Sequence, residues 1–542
     1  MKRIALFIAL LSCIFSGTSQ TGALTSSNLP IIVIQTHGAE IVDEPKIRAD
    51  MGIVFNGEGV RNRITDPFNH YNGKIGIEIR GQSSQMFPMK SYSIELWDAG
   101  GNSVDRSLFG LPKESDWVLY APYTDKTLMR NVLAYSLSRG MGRWAANCRY
   151  VELVVNGDYK GIYVFMERIK RGSGRVPVTK MAVTDVSGDA VTGGYIFSID
   201  KDSDGWYSSY PTPFTTLRQP VRFGHIYPKK SSLAKEQEAY LKSYVDSFEN
   251  ALQEKDFQLP ERGWRRFADE GSFIDYMIVN EVSRNVDGYR LSAYFHKDRT
   301  SKGGKIVAGP VWDYDLAFRN ANYCRGSDPT GWCYEFNRDC PDGTWHIPQW
   351  WYRFNSDSLF LRNLRERWKV LRNGLLSQSR IDGFIDSVRT LTAEARSRHF
   401  QRWPILGQYV WPNPQPIPSD YEGEITALKG WLQSRITWLD GAIASTAPTN
   451  PVTPNPSDGI RVTVLSNPVG NLMRVRVTSD KPRNASFRVL GANGQTMMLK
   501  TTPLSTGDNE FQWQTSGWPS GVYALQHILE TGETGASRFM KR

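Results

Sequence analysis

Short apolar runs rich in β-branched and aromatic residues fill the first third of the chain, with Gly, Pro and Asp clusters between the runs. This pattern predicts strands at Ile31–Gln35, Lys74–Arg80, Lys90–Trp97, Trp117–Tyr120, Tyr150–Asn156 and Lys160–Glu167. The last two flank Asn156-Gly157, a dipeptide suited to a tight hairpin turn. One helix interrupts them: Thr127–Arg139 places Leu128, Val132, Tyr135 and Leu137 near one face, and Gly140 stops it. Further on the apolar spacing becomes that of a helix, over Leu233–Glu254, Gly271–Asn285, Leu359–Leu375, Ile381–Arg398 and Tyr421–Ile443. A β-rich lobe feeding a helical lobe predicts an α+β fold with a cleft between the two, where ligands sit.

From Gly459 the pattern changes to short runs of alternating apolar and polar residues. Ile460–Leu465, Leu472–Thr478, Ala485–Leu490, Thr496–Thr501, Asn509–Gln514, Gly521–Ile528 and Ser537–Lys541 fit seven strands of an all-β, immunoglobulin-like sandwich. A Pro/Thr/Asn linker, residues 446–458, separates this module (459–542) from one catalytic-sized unit at 25–445. At the other end, Lys2 and Arg3 precede an apolar run from Ile4 to Phe15 and then small polar residues. Residues 1–20 therefore read as a secretory signal peptide, with lipoprotein processing at Cys13 as the alternative. Export makes disulfides an option for Cys148, Cys324, Cys333 and Cys340. One bridge among the last three is the simplest expectation, and a zinc site completed by His346 is the rival. The formal charge of +10 comes from scattered Lys and Arg rather than a basic run, so no nucleic-acid partner is expected.

The densest chemical signal is Asn285-Val-Asp287-Gly-Tyr-Arg290 followed by Val311-Trp-Asp313-Tyr-Asp315. Strand-like segments Arg290–Lys297 and Lys305–Val311 lie between them, joined by a turn at Ser301-Lys-Gly303-Gly304. A turn centred near Ser301 sets Tyr289 opposite Asp313 and Asp287 opposite Asp315, which delivers the acids to one end of a ribbon. Converging carboxylates repel unless a cation intervenes, and magnesium with phosphate oxygens is the natural partner. Positive charge for phosphate is offered by Arg80 and Lys90 around a hydroxyl-rich loop, and Glu167 ends the hairpin that leads into the lobe junction. Trp332, Trp345, Trp350 and Trp351 crowd the following region, as core packing or as platforms for sugars.

Several ordered motifs carry a resemblance. Ile77-Glu-Ile-Arg-Gly-Gln-Ser-Ser84, Phe87-Pro-Met-Lys-Ser-Tyr92, Leu111-Pro-Lys-Glu-Ser-Asp-Trp-Val-Leu-Tyr-Ala-Pro122, Asp125-Lys-Thr-Leu-Met-Arg-Asn131 and Val151-Glu-Leu-Val-Val-Asn-Gly157 come first. Val279-Asn-Glu281, Asn285–Arg290 and Gly309-Pro-Val-Trp-Asp313 follow in order. The chain from about 29 to 445 resembles the CotH family of spore-coat and surface proteins, which are distant relatives of protein kinases. The resemblance implies a two-lobed, atypical kinase-like domain that moves phosphate from ATP, with Mg2+ or Mn2+, to Ser or Thr of secreted or surface proteins. It implies Asp287 as the catalytic-loop Asp, Asp313 as the metal-binding Asp and Lys90 as a phosphate contact; beside these, Arg80 is the second cation of the loop and Asp315 the candidate to replace the kinase's metal-binding Asn. Departures from kinases are plain: there is no Gly-x-Gly-x-x-Gly loop, no His-Arg-Asp, no Glu in Thr127–Arg139 to pair with Lys90, and Ser292 stands five residues after Asp287. A non-catalytic surface or assembly protein that keeps the fold is the alternative, and a glycan-binding surface protein a third.

The C-terminal module carries Ser466-Asn-Pro-Val469, the Gly491–Gly494 turn, Pro519-Ser-Gly-Val-Tyr-Ala-Leu525 and Phe539-Met-Lys-Arg542 in order. It resembles the type IX secretion sorting domain of Bacteroidetes-like bacteria. That implies the type IX machinery as a partner, export through the periplasm, and release or attachment at the outer-membrane surface, where lipopolysaccharide is the anchor.

Overall fold

In the computed structural model, residues 24–446, 460–465, 468–491, 495–529 and 534–542 are described. The signal segment 1–20, the linker beyond Thr446, Ser466-Asn467 and the 492–494 turn lie outside the described residues. The chain divides into two compact units, Met1–Ala447 and Pro448–Arg542, of mixed α and β content compatible with an α+β class.

Seven strands of the first unit close into a barrel: β1 Ile31–Gln35, β2 Ile47–Val54, β3 Tyr71–Arg80, β4 Ser91–Trp97, β5 Asp116–Tyr120, β6 Cys148–Val155 and β7 Asp158–Glu167. Their order is β1-β2-β3-β4-β5-β7-β6, and the parallel pair β1/β6 completes the circuit. Alternation decides which residues fill it. Trp117, Leu119, Tyr163 and Phe165 point into the barrel core with Ile32, Ile34, Ile75, Ile77 and Ile94. Their neighbours Val118, Ile162, Val164 and Met166 join the core shared with the helices. Burying each such side chain contributes about 1.5–3 kcal/mol.

A second sheet follows, from β8 Tyr195–Ile199, β9 Phe223–Tyr227, β10 Ala293–Lys297 and β11 Ile306–Ala308, in the order β9-β8-β10-β11. The hairpin β10/β11 pairs Phe295 with Ala308 and Lys297 with Ile306, one residue out of step with the expected centre. The 3-10 turn Thr300–Lys302 and the left-handed Gly303 and Gly304 move the pivot between Ser301 and Lys302. Pairing ends at Phe295 and Ala308, so the chain leaves the ladder before reaching either acidic motif.

The main helices are α1 Arg130–Gly140, α2 Lys235–Gln253, α3 Glu270–Ser283, α4 Ser358–Arg372, α5 Gln378–Leu391, α6 Ala393–Arg402 and α7 Tyr421–Ser445. The single helix expected over Ile381–Arg398 is two, broken at buried Thr392, whose hydroxyl donates to the Val388 carbonyl at 2.9 Å. Helix α3 is buried on every side from Ser272 to Ser283, and Asp269 caps it by accepting the Ser272 N–H at 2.7 Å. Trp350 and Trp351 are fully buried against this core. A disulfide joins Cys324 to Cys340, while Cys148 and Cys333 are free thiols.

The second unit holds β12 Ile460–Val464, β13 Leu472–Ser479, β14 Arg483–Gly491, β15 Thr496–Leu504, β16 Gly507–Gln514, β17 Gly521–Leu529 and β18 Thr534–Lys541. They form two antiparallel sheets, β12-β13-β16 and β15-β14-β17-β18. Met473, Val475 and Val477 turn inward between exposed neighbours and share a core with Phe487, Trp513, Tyr523 and Phe539.

Candidate functional site

A cavity of about 540 Å³ lies where the barrel meets the second sheet and the helices. It is lined by Arg80 and the 81–84 loop after β3, by Val118, Tyr120 and Met166 of the barrel, by Asp200–Asp204 after β8, and by Asp287, Ser292, Tyr294, Trp312, Asp313 and Asp315. Its volume is ordinary for a ligand site.

Two segments bring the expected acids here. Helix α3 ends at Arg284, whose left-handed backbone (φ 42°) turns the chain toward the cavity. Asn285 Oδ1 then accepts the Asp287 N–H at 3.1 Å, and Arg290 donates to Asp287 Oδ1 at 2.8 Å. A Cβ on Gly288 would lie 2.4 Å from Asn280 Oδ1, so only glycine fits this approach. The second segment is held by α1. The Asp313 N–H donates to the Tyr135 hydroxyl at 3.2 Å, and the Tyr314 N–H donates to Asn131 Oδ1 at 2.6 Å. Asn320 Nδ2 donates to the Asp315 carbonyl at 2.7 Å. Tyr289, Ser292 and Asp313 all carry left-handed backbone, with φ of 69°, 46° and 64°. Such conformations are costly for non-glycine residues and cluster where a site over-determines the chain.

The electrostatics are one-sided. Seven aspartates line the cavity against two cations, Arg80 and Lys201, so a polyphosphate could enter only with cations of its own. The Asp313 carboxyl faces the water of the cavity yet is hemmed in by protein. Its pKa is pushed up to about 6, first by lost solvation and then by repulsion from Asp287 and Asp200. Asp315 is raised well above the usual carboxylate range by the same loss of solvation and by Asp313 and Asp287. Asp200 is raised too, chiefly by lost solvation, against hydrogen bonds from Lys201 and Ser292. The Arg80 guanidinium lies 5.4 Å from the Trp312 ring centroid. Its Nη1 atom and the Tyr120 hydroxyl are buried and meet no hydrogen-bond partner among the described residues.

Of the residues read from sequence, the structure brings Arg80, Asp287, Asp313 and Asp315 to this cavity. Lys90 and Glu167, also expected there, do not line it. The Lys90 ammonium turns into its own loop and donates to the Gln85 carbonyl at 2.5 Å. Fully buried Glu167 accepts the Asn147 N–H and Nδ2, both at 2.9 Å, and lies 4.0 Å from Arg175. The zinc alternative is also corrected: Cys324 and Cys340 are bonded to each other, and His346 sits 3.2 Å from the Cys340 carbonyl. Among the described residues no three Asp, Glu, His or Cys side chains close on one metal position, and none of the described helices is long and apolar enough to cross a membrane. Asp200 is one of four cavity aspartates that sequence reading missed, with Asp43, Asp202 and Asp204. Its signal was the β-branched and aromatic run Tyr195-Ile-Phe-Ser-Ile199, which marks a strand ending one residue before it.

The architecture is that of an α+β protein with an acidic cavity at the mouth of a barrel. A profile of the family described as "CotH kinase protein" matches residues 77–439, about two thirds of the sequence. The chain belongs to that family. No curated protein matches it. Among solved structures, a β-glucosidase from Listeria innocua in complex with glucose is similar at 8% identity and a TM-score of 0.12, over 15% of this chain and 16% of that one. The same enzyme with isofagomine is similar at 10% identity and a TM-score of 0.12, over 21% and 27%. The chain thus spans about a sixth to a quarter of these structures, and the likeness carries no argument.

Proposed function

We propose that this chain is an exported, atypical protein kinase that transfers the γ-phosphoryl group of ATP to Ser or Thr hydroxyls of secreted or surface proteins. The observation that carries the reading is that Asp287 and Asp313, from either side of one hairpin, line one cavity with Arg80, whose Nη1 meets no hydrogen-bond partner among the described residues. In the step, the hydroxyl oxygen bonds to the γ-phosphorus as the bond to the ADP oxygen breaks, and Asp287 accepts the hydroxyl proton. Arg290 fixes that carboxylate in place. The donor set fits magnesium or manganese: Asp313 and Asp315 are hard oxygen ligands whose mutual repulsion a divalent cation would relieve. When bound, the ion would neutralise phosphate charge. Arg80 would take the phosphate oxygens on the barrel side, with the barrel and the helical part serving as the two lobes.

Export is supported by the apolar N-terminal run and by the Cys324–Cys340 disulfide, a bond favoured in oxidising compartments. In this reading the second unit is an immunoglobulin-like type IX sorting domain that directs the chain to the cell surface, where lipopolysaccharide would anchor it. A non-catalytic assembly role is the second reading, favoured by one observation: Lys90, the phosphate contact of kinases, stands outside the cavity.

Incubating the purified chain with radiolabelled ATP, Mg2+ or Mn2+ and a Ser-rich acceptor protein separates the two. The kinase reading expects transfer that falls at least ~100-fold in Asp287→Asn and in Asp313→Ala. Calorimetry showing no nucleotide binding with either metal would leave the assembly role.

A further inference from the structure

We propose that Asp200 is the protein ligand of a second divalent cation at the nucleotide's phosphates, standing in for the Asn that a protein kinase supplies from its catalytic loop. This rests on the phosphotransfer reading above. Kinases hold two magnesium ions between their metal-binding Asp and that Asn. Here the corresponding place, five residues after Asp287, is Ser292, whose hydroxyl is a poor substitute for an amide carbonyl.

The second sheet supplies the missing oxygen. Strands β8 and β10 pair Ile199 with Ala293, so the next step beyond the ladder sets Asp200 beside Ser292. The Ser292 hydroxyl donates to Asp200 Oδ2 at 3.3 Å, and the Lys201 N–H donates to Oδ1 at 2.8 Å. Each carboxylate oxygen accepts more than one bond, so both keep capacity toward the cavity that Asp200 lines.

An independent feature points to the ligand. Arg80 Nη1 and the Tyr120 hydroxyl are buried donors in the same wall with no partner among the described residues. Donors of that kind suit an anion with several oxygens. Seven aspartates face two cations in this cavity, so a polyphosphate is favoured with cations of its own, and one ion at Asp313 and Asp315 leaves Lys201 as the charge set against Asp200 and its neighbours Asp202 and Asp204. A second ion there would complete its shell with phosphate oxygens and water, as magnesium does when a protein offers one or two carboxylates. The rival is that Asp200 only shapes its turn, through Ser203, whose Oγ lies 3.1 Å from the Asp200 N–H and 2.9 Å from its carbonyl.

Electron paramagnetic resonance on the full chain, titrated with Mn2+ beside a non-hydrolysable ATP analogue, counts the bound ions. About two per chain are expected, falling to about one in Asp200→Asn at an unchanged melting temperature. Ser292→Ala keeps the carboxylate but frees it, and should weaken the second ion by about 3–10-fold. An Asp200→Asn chain that still holds two ions, or a parent chain that saturates at one, overturns the assignment and leaves the kinase reading standing. If Asp200→Asn fails to fold, Ser292→Ala decides, and unchanged affinity for the second ion is then the adverse result. A parent chain that takes up neither Mn2+ nor the analogue removes the kinase reading and this one together.

Discussion

Two groups of charge sit a short way apart along the same chain and obey opposite rules. Glu281, on α3, is 2% exposed, yet every demand of its carboxylate is met. It accepts the N–H groups of Cys333 and Tyr334 at 2.7 and 3.0 Å, the Tyr289 hydroxyl at 3.0 Å, and Arg435 from α7 at 3.0 Å. Six residues later the chain reaches Asp287, paired with Arg290 at 2.8 Å, and then Asp313 and Asp315, which share a cavity in which Arg80 and Lys201 are the charges set against Asp313. Burial raises the Glu281 pKa and Arg435 opposes the rise. In the cavity, neighbouring acids add to it. The first arrangement holds α3, α7 and the 333–334 segment together. The second costs the fold energy, and such a cost persists where a ligand supplies the missing charge.

The largest expected effect comes from unbalancing the satisfied pair. Arg435→Ala leaves Glu281 buried without its cation, and urea unfolding should show a loss of about 3–5 kcal/mol. The same substitution also removes the bonds that Arg435 donates to the Glu281, Pro329 and Gly331 carbonyls at 2.7, 3.1 and 2.6 Å. A loss below about 1 kcal/mol would mean that the pair is no more structural than a surface bridge.

Removing a charge from the cavity should act in the other direction. Asp313 has a folded pKa of about 6, above the ordinary value of 3.8, so the folded chain binds its proton more tightly than the unfolded chain does. Its carboxyl therefore costs nothing below about pH 4, and the cost grows as pH rises to about 6 and holds its full value above that. Asp313→Asn should then stabilise the metal-free protein at pH 8 by about 1 kcal/mol, a figure reduced for screening by the cavity's water, and by nothing at pH 4. Thermal melts across that range test it. An Asn variant less stable than the parent at pH 8 would mean that Asp313 has a structural partner.

How far this contrast was legible from sequence depends on range. Asp287 and Asp313 were readable because the hairpin joining them is local and its turn carries Gly303-Gly304. The error of one residue in register was small enough to leave both at the same end. Strand Ile47–Val54 escaped notice because only Ile47, Ile53 and Val54 in it are β-branched, although its apolar and polar positions alternate. Closure of the barrel was out of reach, since it depends on the parallel pairing of Ile31–Ile34 with Glu152–Val155, more than a hundred residues away. Lys90 was placed at the head of a strand that begins one residue later, and the direction of its side chain is set by the Gln85 carbonyl, which no periodicity reveals. Arg435, the partner of Glu281, lies 154 positions on, and only the packing of α7 on α3 brings them together.

The smallest effect separates the two arginines. Arg80 resembles Arg435 in carrying a guanidinium into the interior, and burial is the main force lowering its pKa. Its Nη1 has no partner, however, and its chief contact is the face of Trp312 at 5.4 Å. Arg80→Met keeps an unbranched apolar stem against that ring and forfeits only a cation–π term of about 0.5–1 kcal/mol, offset by the desolvation no longer required. Unfolding free energy should therefore change by less than about 1 kcal/mol, while affinity for a metal–nucleotide complex falls about 10-fold or more as a charge-assisted phosphate contact is lost. Urea titration and calorimetry on one preparation read both quantities. If Arg80→Met destabilises the chain as Arg435→Ala does, the guanidinium belongs to the framework, and the cavity has lost the cation that sets it apart from an acidic crevice.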